Sequence, residues 1–422
     1  MSPVSALDVP LSRAPTSIAA VIDARAVRSV YQPLVDLFSG ETVGYEALAR
    51  GPKGCALERP DQLFAAAREA GLEDELEWSC QRAALEGALR GGLSPGQALF
   101  VNFEPGVSMV NRPVQIAELG AAALARFPVF VELTERALTA NPAELLATVA
   151  RLRGIGARIA LDDVGADARS LALMPFLAPE VIKLDLRLVQ ENPSRQVAEI
   201  VHAVSAEAER TGALVLAEGI ETEAHRQTAL ALGARYGQGW LFGRPAELPR
   251  PGQAVSDAMP EPRTGTEAAG SPFEVVTSKR RTRRATKRLL LALSLQIEAQ
   301  ASGLGASAVL LSNFQEAQYF TPLTAARYAH ISLAAALVGA LGVGLSRTPA
   351  AGVRGVALDE TDPLRGEWDV AVIGAHFAMA FVARELGDTG PDMERRFDLA
   401  VTYDRELALE AARAMMCRVA AR

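Results

Sequence analysis

Lysine, cysteine and histidine are scarce in this 422-residue chain, with four, three and four copies respectively. Cys55, Cys80 and Cys417 are odd in number and lack CxxC spacing, which argues against both a disulfide framework and a zinc–thiolate site. His202, His225, His330 and His376 show no ligand spacing and read as structural or surface residues. No apolar run reaches about 18 residues without a charge. No basic-then-apolar leader opens the chain either. A cytoplasmic protein without membrane insertion is therefore expected. A net charge of −7 argues against a general surface for nucleic-acid polymers. Arginine is plentiful, so Lys183, a lysine kept inside an apolar strand pattern, stands out.

The length exceeds what one hydrophobic core usually holds, and two domains are expected. Residues 1–19 read as a flexible leader rich in Ser, Pro and Ala. From Tyr31 short β-rich runs alternate with amphipathic segments, the pattern of repeated β/α units. The expected strands are Val30–Leu37, Val43–Ala49, Ala98–Phe103, Val129–Leu133, Arg158–Leu161, Val181–Leu184, Leu214–Ala217 and Gly239–Phe242. Helices are expected at Asp61–Leu89, Pro142–Leu152, Pro193–Arg210 and Thr222–Leu232, with proline near two of the starts. The fold class is α/β: a β/α barrel over 20–248, joined by a Pro- and Gly-rich linker at 249–272 to a second, smaller mixed α/β domain at 273–422. In that second part, strands are expected at Ala308–Leu311, Gly339–Leu345 and Trp368–Ile373. Helices are expected at Leu289–Ala299, Ala325–Ala336, His376–Glu385 and Tyr403–Ala420. The basic run Lys279–Arg288 reads as a solvated helix face at a domain start. Trp78, Trp240 and Trp368 read as core or interface anchors.

Polar residues stand at or near the ends of the barrel strands: Glu46, Asn102, Glu132, Asp162, Asp163, Lys183, Glu218 and Gln238. In a β/α barrel the C-terminal strand ends converge on one face, where active sites of this fold lie. Glu46, Asn102, Glu132, Asp162 and Asp163 supply hard oxygen donors, the type preferred by Mg²⁺ and Mn²⁺, and paired ions of this kind are a standard device for phosphodiester hydrolysis. So much negative charge is costly to bury without cations, and the cluster implies metal. Lys183 is suited to orient the hydrolytic water or to balance charge, and Glu218 to bond to Lys183 or to coordinate metal.

The order and flanks of these motifs resemble the EAL family of cyclic di-GMP phosphodiesterases. The resemblance rests on Tyr31-Gln32-Pro33-Leu34, Gly44-Tyr45-Glu46-Ala47-Leu48-Ala49-Arg50, Val101-Asn102-Phe103 and Glu132-Leu133-Thr134-Glu135. It continues through Asp162-Asp163-Val164-Gly165, Ile182-Lys183-Leu184-Asp185, Ala217-Glu218-Gly219-Ile220-Glu221-Thr222 and Gly237-Gln238-Gly239 through Pro245. It implies a modified TIM barrel that cuts cyclic di-GMP to linear pGpG at a two-metal Mg²⁺ or Mn²⁺ site. The positions matching metal ligands are Glu46, Asn102, Glu132, Asp162 and Asp163, with Lys183 and Glu218 completing the catalytic set. Gln32, Leu48, Arg50 and Gln238 match positions that hold the dinucleotide, and Asp185 and Glu221 match further acids of the substrate site. Glu221 reads equally as an acid at a helix N-terminus. Glu135 matches an anchor of the loop after the Asp pair. That loop departs from the family pattern: Asp162-Asp163-Val164-Gly165-Ala166-Asp167-Ala168-Arg169-Ser170 lacks the usual Phe, second Gly, aromatic residue and first Ser. In the family this loop couples dimer contacts to metal binding. A homodimer is expected, and the altered loop keeps open an alternative, a cyclic di-GMP-binding effector with little or no turnover.

The C-terminal half resembles the DICT sensory domain over about 273–418. The carrying residues are Ala308-Val309-Leu310-Leu311, Asn313-Phe314-Gln315, Tyr319-Phe320-Thr321-Pro322, Arg327-Tyr328, Gly342-Val343-Gly344, Asp362-Pro363-Leu364 and Glu367-Trp368. The resemblance implies that a signal received there modulates the barrel.

Overall fold

The computed structural model describes residues 17–104, 106–107, 112–134, 140–166, 170–192, 194–250, 252, 259–263 and 270–420. Eight strands close a barrel in chain order: β1 (Arg28–Asp36), β2 (Thr42–Arg50), β3 (Ala98–Asn102), β4 (Val129–Thr134), β5 (Arg158–Val164), β6 (Val181–Leu184), β7 (Leu214–Ala217) and β8 (Tyr236–Gln238). β1 lies antiparallel to both β2 and β8, while the pairs from β2 to β8 are parallel. The chain explains the exception. Only a tight turn separates β1 from β2, with the Asp36 carboxylate accepting from the amides of Phe38 and Ser39 at 2.9 Å each, and such a turn cannot carry the crossover that a parallel pair requires. The fold is thus a modified TIM barrel, with its interior filled rather than open. Leu34, Phe100, Phe130, Val181, Leu216 and Tyr236 pack there, with Phe100 and Phe130 stacked at 4.4 Å.

Part of the expected linker is anchored to this barrel. Met259 is buried with the interior cluster, and Arg158 donates through Nε to the Pro260 carbonyl at 2.6 Å. The Arg263 amide donates to Glu180 Oε1 at 2.8 Å.

Two expectations for the barrel are corrected. The single helix expected over Asp61–Leu89 is two, Pro60–Ala70 and Glu73–Gly91, because Gly71 adopts φ 65 and closes the first with a left-handed cap. The eighth strand is Tyr236–Gln238 instead of Gly239–Phe242. The chain turns at Gly239, where Phe242 and Gly243 both donate to the Gly239 carbonyl, and Leu241 donates to Ile220.

The second unit is a seven-stranded sheet in the order β12-β11-β10-β13-β14-β15-β9. Its strands are β9 (Arg283–Thr286), β10 (Val309–Glu316), β11 (Leu337–Val343), β12 (Arg354–Leu358), β13 (Glu367–Ile373), β14 (Ala378–Glu385) and β15 (Arg396–Thr402). The segment expected as a helix at His376–Glu385 is β14, held between β13 and β15. The basic run is a helix face only at its end, where Lys287 and Arg288 open the helix Lys287–Gly303. Its centre is edge strand β9, paired only with β15, and its charges meet acids: Arg284 with Asp398 at 3.2 Å, Lys287 with Asp392 at 2.8 Å and Arg288 with Glu394 at 2.8 Å. An edge strand of this charge discourages pairing with other chains. The Asn313 amide bonds to the Leu364 and Glu367 carbonyls and to Asp369, while Glu367 accepts from Ser271, the Phe273 amide and Arg384. This buried network ties the helix Pro272–Thr277 to the sheet.

The helix Arg405–Met416 covers one sheet face and also reaches the barrel. Arg413 donates to the carbonyls of Pro175 and Phe176 at 2.8 and 3.2 Å, and the Ala143 amide donates to Val419 at 3.1 Å. No helix among the described residues is long and apolar enough to cross a membrane.

The turn after β8 gives a test of how tightly this architecture is packed. A Cβ at Gly239 would lie 2.1 Å from the Ile220 carbonyl oxygen and 2.4 Å from its nitrogen, both main-chain atoms. Gly239→Ala is expected to lower the unfolding free energy by about 1–3 kcal/mol, as overpacking does. Urea denaturation checks this, and an unchanged midpoint would contradict the close approach.

Candidate active site

Strand register brings the polar residues together. Gln32 on β1 pairs with Glu46 on β2, and Asn102 on β3 pairs with Glu132 on β4. Glu46 stands near the middle of β2 rather than at its end, because β2 continues to Arg50. Gln238 closes the ring at the end of β8. Its amide donates to Glu46 Oε2 at 2.6 Å and to Gln32 Oε1 at 3.2 Å, while Asn102 donates to Glu46 Oε1 at 3.0 Å. Gln32 in turn donates to the Gly243 carbonyl at 3.2 Å.

Lys183 occupies the centre and has no exposed surface. Its Nζ lies 2.7 Å from Glu132, 2.8 Å from Glu218, 2.9 Å from Asp162 and 3.8 Å from Glu46. Burial alone would drive its ammonium toward neutrality, but the four carboxylates outweigh that and hold its pKa well above the usual lysine value. For Glu46, burial pushes the pKa up; Lys183 and the amides of Gln238 and Asn102 prevail and keep it below the ordinary value. Glu132 goes the other way. Burial, then the negative charge of Glu46, push it well above the usual carboxylate range despite Lys183. Burial likewise raises Glu218 to about 8, with Lys183 opposing and Asp162 and Glu46 adding.

Asp162 and Asp163 sit at an irregularity in the β5–β6 register between Leu161 and Val164. Asp162 is buried and faces Lys183, whereas Asp163 takes φ 57 and is exposed. The kink turns two consecutive carboxylates to the same side, where a regular strand would send them to opposite faces. Oxygens of Asp162, Asp163 and Glu218 lie within 4.8 Å of one another. Oε2 of Glu132 is buried and has no hydrogen-bond partner among the described residues. Hard oxygens gathered around an excess of negative charge, one of them buried and unmatched, fit a divalent cation.

The remaining expected residues are placed less centrally. Leu48 and Arg50 are half-buried on β2 beyond Glu46, and Arg50 bonds to the Ala49 carbonyl at 2.8 Å. Asp185 is buried but engaged: it caps the helix Leu186–Gln190 through the Arg187 amide and pairs with the Arg187 guanidinium at 2.8 Å. Nothing in the sequence marked Arg187 beyond its position two residues after Asp185. Glu221 is exposed, just before the helix Glu223–Ala231, and its amide donates to His225 Nδ1. Glu135, the expected loop anchor, lies outside the described residues, as do residues 167–169 of the altered loop. Gly165 follows with φ 108, and the Asp185 amide donates to Val164. Trp78 packs against Phe103 and Trp368 against Phe381 and Phe397. Trp240 is instead exposed beneath the Arg244 guanidinium, a stacked surface residue rather than a core anchor.

The charge balance makes a prediction. Lys183→Met removes a cation in contact with four carboxylates and is expected to destabilise the protein by about 3–5 kcal/mol in metal-free buffer. Thermal or urea unfolding in EDTA measures it, and an unaltered stability would show that the carboxylates do not depend on Lys183.

The family model of the EAL domain matches residues 16–245, and that of the sensory domain in diguanylate cyclases and two-component systems (DICT) matches 273–386. The second match ends before β15 and the last helix, which complete the same sheet. An uncharacterised Mycobacterium tuberculosis protein is 32% identical over 243 residues, covering 56% of this chain and 38% of its own length. The cyclic di-GMP phosphodiesterase RocR of Pseudomonas aeruginosa is 32% identical over 232 residues, covering 53% of this chain and 58% of its own. The probable cyclic di-GMP phosphodiesterase PdeB of Escherichia coli is 31% identical over 234 residues, 53% of this chain and 43% of its own. The matched stretch therefore spans less than two thirds of each of these relatives. Among solved structures, the Klebsiella pneumoniae BlrP1 calcium and cyclic di-GMP complex is 29% identical with a TM-score of 0.46, covering 52% of this chain and 56% of that one.

Proposed function

This chain belongs to the EAL domain family, and from that premise we propose that its barrel hydrolyses cyclic di-GMP to linear pGpG with Mg²⁺ or Mn²⁺. The observation that carries the reading is the approach of Asp162, Asp163 and Glu218 to within 4.8 Å beside Glu46, Glu132 and Lys183. Glu46, Asn102, Glu132, Asp162 and Asp163 would hold the ions. Bound divalent ions at such a site would supply charge neutralisation for the phosphodiester and a more acidic hydrolytic water.

The chain's own side chains account for the rest. Lys183 holds Glu132, Asp162 and Glu218 in one orientation and stays protonated, so it can face developing negative charge at the scissile phosphate. Glu218, raised to about 8, is able to carry a proton near neutrality. Gln238 and Gln32 fix Glu46 and line the approach for the dinucleotide, and Arg50 offers a guanidinium fork to a phosphate. Leu48, Asp185 and Glu221 belong to the substrate side in the same reading. The DICT unit would modulate the output, in a homodimer, through the contacts of its last helix with the barrel.

The altered loop after Asp163 favours a second reading, in which the pocket binds cyclic di-GMP and turns over little of it. Incubation of purified protein with cyclic di-GMP and Mg²⁺ or Mn²⁺, following both binding and pGpG, separates the two. Under the first reading pGpG accumulates, EDTA stops it, and Glu46→Ala lowers turnover at least about a hundredfold. Binding without pGpG would reject the enzyme in favour of the effector. For the modulatory role, Arg413→Ala is expected to change the rate or the oligomeric state. Identical values for both would count against it.

A further inference from the structure

A cavity of about 690 Å³ lies between the barrel and the last helix of the DICT unit and shares no lining residue with the carboxylate cluster. Six arginines line it. Arg151 and Arg153 come from the helix Pro142–Gly154, Arg210 from the helix Arg195–Thr211, Arg263 from the linker, and Arg413 and Arg418 from the last helix and the residues after it.

Four carboxylates neutralise part of this charge. Glu180 meets Arg153 and Arg263, Glu207 and Glu406 meet Arg210, and Asp362 meets Arg418. Two guanidiniums are left over. Among the described residues, Arg413 bonds only to the carbonyls of Pro175 and Phe176, and Arg151 only to Thr148 Oγ1. Burial, then the nearby charges of Arg210 and Arg153, depress the Arg413 pKa, with Glu406 and Glu207 opposing. Guanidiniums crowded into a concave, partly dehydrated space favour an anion with several acceptor oxygens, because each fork can take two of them. The rest of the wall is apolar, with Leu146, Ala147, Ala150 and Phe176 available to a ring. The volume falls in the range of small-ligand sites, about 300–1,000 Å³.

We propose that this interdomain cavity binds a phosphate-bearing small molecule of nucleotide size, held between Arg151 on the barrel and Arg413 on the DICT unit. Since the ligand touches both units, its binding draws the last helix against the helix Ser170–Leu177, which begins seven residues after Asp163.

Cys417 lines the same cavity and is exposed, which provides a local reporter. Full-length protein in EDTA is treated with N-ethylmaleimide in the presence of GMP, GTP or inorganic pyrophosphate, and modification of Cys417 is compared with that of Cys55 by peptide mass spectrometry. GTP or GMP is expected to slow Cys417 selectively. Arg151→Glu, at an exposed position whose side chain has no hydrogen-bond partner among the described residues but Thr148, is expected to weaken that protection by about tenfold or more in ligand concentration. Arg151→Lys is expected to retain most of it. GTP protecting at lower concentration than pyrophosphate identifies the nucleoside part as recognised, and equal potency identifies the phosphates as the determinant. Protection by pyrophosphate alone would overturn a nucleotide-sized ligand. No protection by any probe, or protection indifferent to Arg151→Glu, would overturn the site. Turnover plays no part in this readout, so the outcome is independent of the phosphodiesterase reading.

Discussion

One buried ammonium organises the barrel mouth. Lys183 has no access to solvent and lies within 3 Å of carboxylates from β4 and β5 and of Glu218 just after β7, with Glu46 of β2 at 3.8 Å. A lone buried cation would be forced to lose its proton, and a lone buried carboxylate to gain one. Lys183 and Glu46 support each other's charge, but the count does not balance. One lysine faces four acids directly, and Asp163 stands beside two of them. Glu132 and Glu218 show the excess, since both resist ionisation. Such a site is built for additional positive charge, and it holds its oxygens in place before that charge arrives.

The positions of those oxygens depend on local backbone decisions. An Asp pair in an uninterrupted strand would split across the two faces. The displaced register of β5 and the φ of 57 at Asp163 instead leave one carboxylate buried against Lys183 and the next exposed beside it. A non-glycine residue in that conformation costs of order 1–3 kcal/mol and persists only when its surroundings impose it. The Ala166 amide bonding back to Asp163, and the Asp185 amide bonding to Val164, are part of that imposition.

Much of this was legible because a β/α barrel contributes its chemistry one strand at a time. Val181–Leu184 and Leu214–Ala217 read directly as strands since both are short and, Lys183 aside, apolar, and Lys183 was conspicuous in a chain with four lysines. Other elements were set by partners rather than by their own composition. Ala378–Glu385 has the residues of a helix, yet Ala378, Ala380 and Val382 join one core while Met379, Phe381 and Ala383 join the other, the two-sided alternation of a central strand. Strand β9 has no apolar alternation at all and is defined by its pairing with β15. Strand β8 has three residues, too few for any period, and exists through β1 and β7. At the site the capping role of Asp185 was hidden for a related reason. A carboxylate before a short helix competes between ligand and cap, and here the Arg187 amide and guanidinium claim it.

The helix beyond the altered loop is held at its far end. Residues 162–166 lead toward the helix Ser170–Leu177, whose last turn leaves carbonyls without intrahelical donors. Arg413 satisfies two of them, at Pro175 and Phe176, from the DICT unit, and a cation at a helix C-terminus is also favoured by the helix dipole. The helix that follows the aspartates is therefore fixed at its end by a residue of the second domain, in a setting where Arg413 is crowded by like charge. Displacing the last helix would break two hydrogen bonds to buried backbone and release that end of the helix. The sequence departures after Asp163 thus precede a helix whose C-terminal end is held from outside the barrel by Arg413.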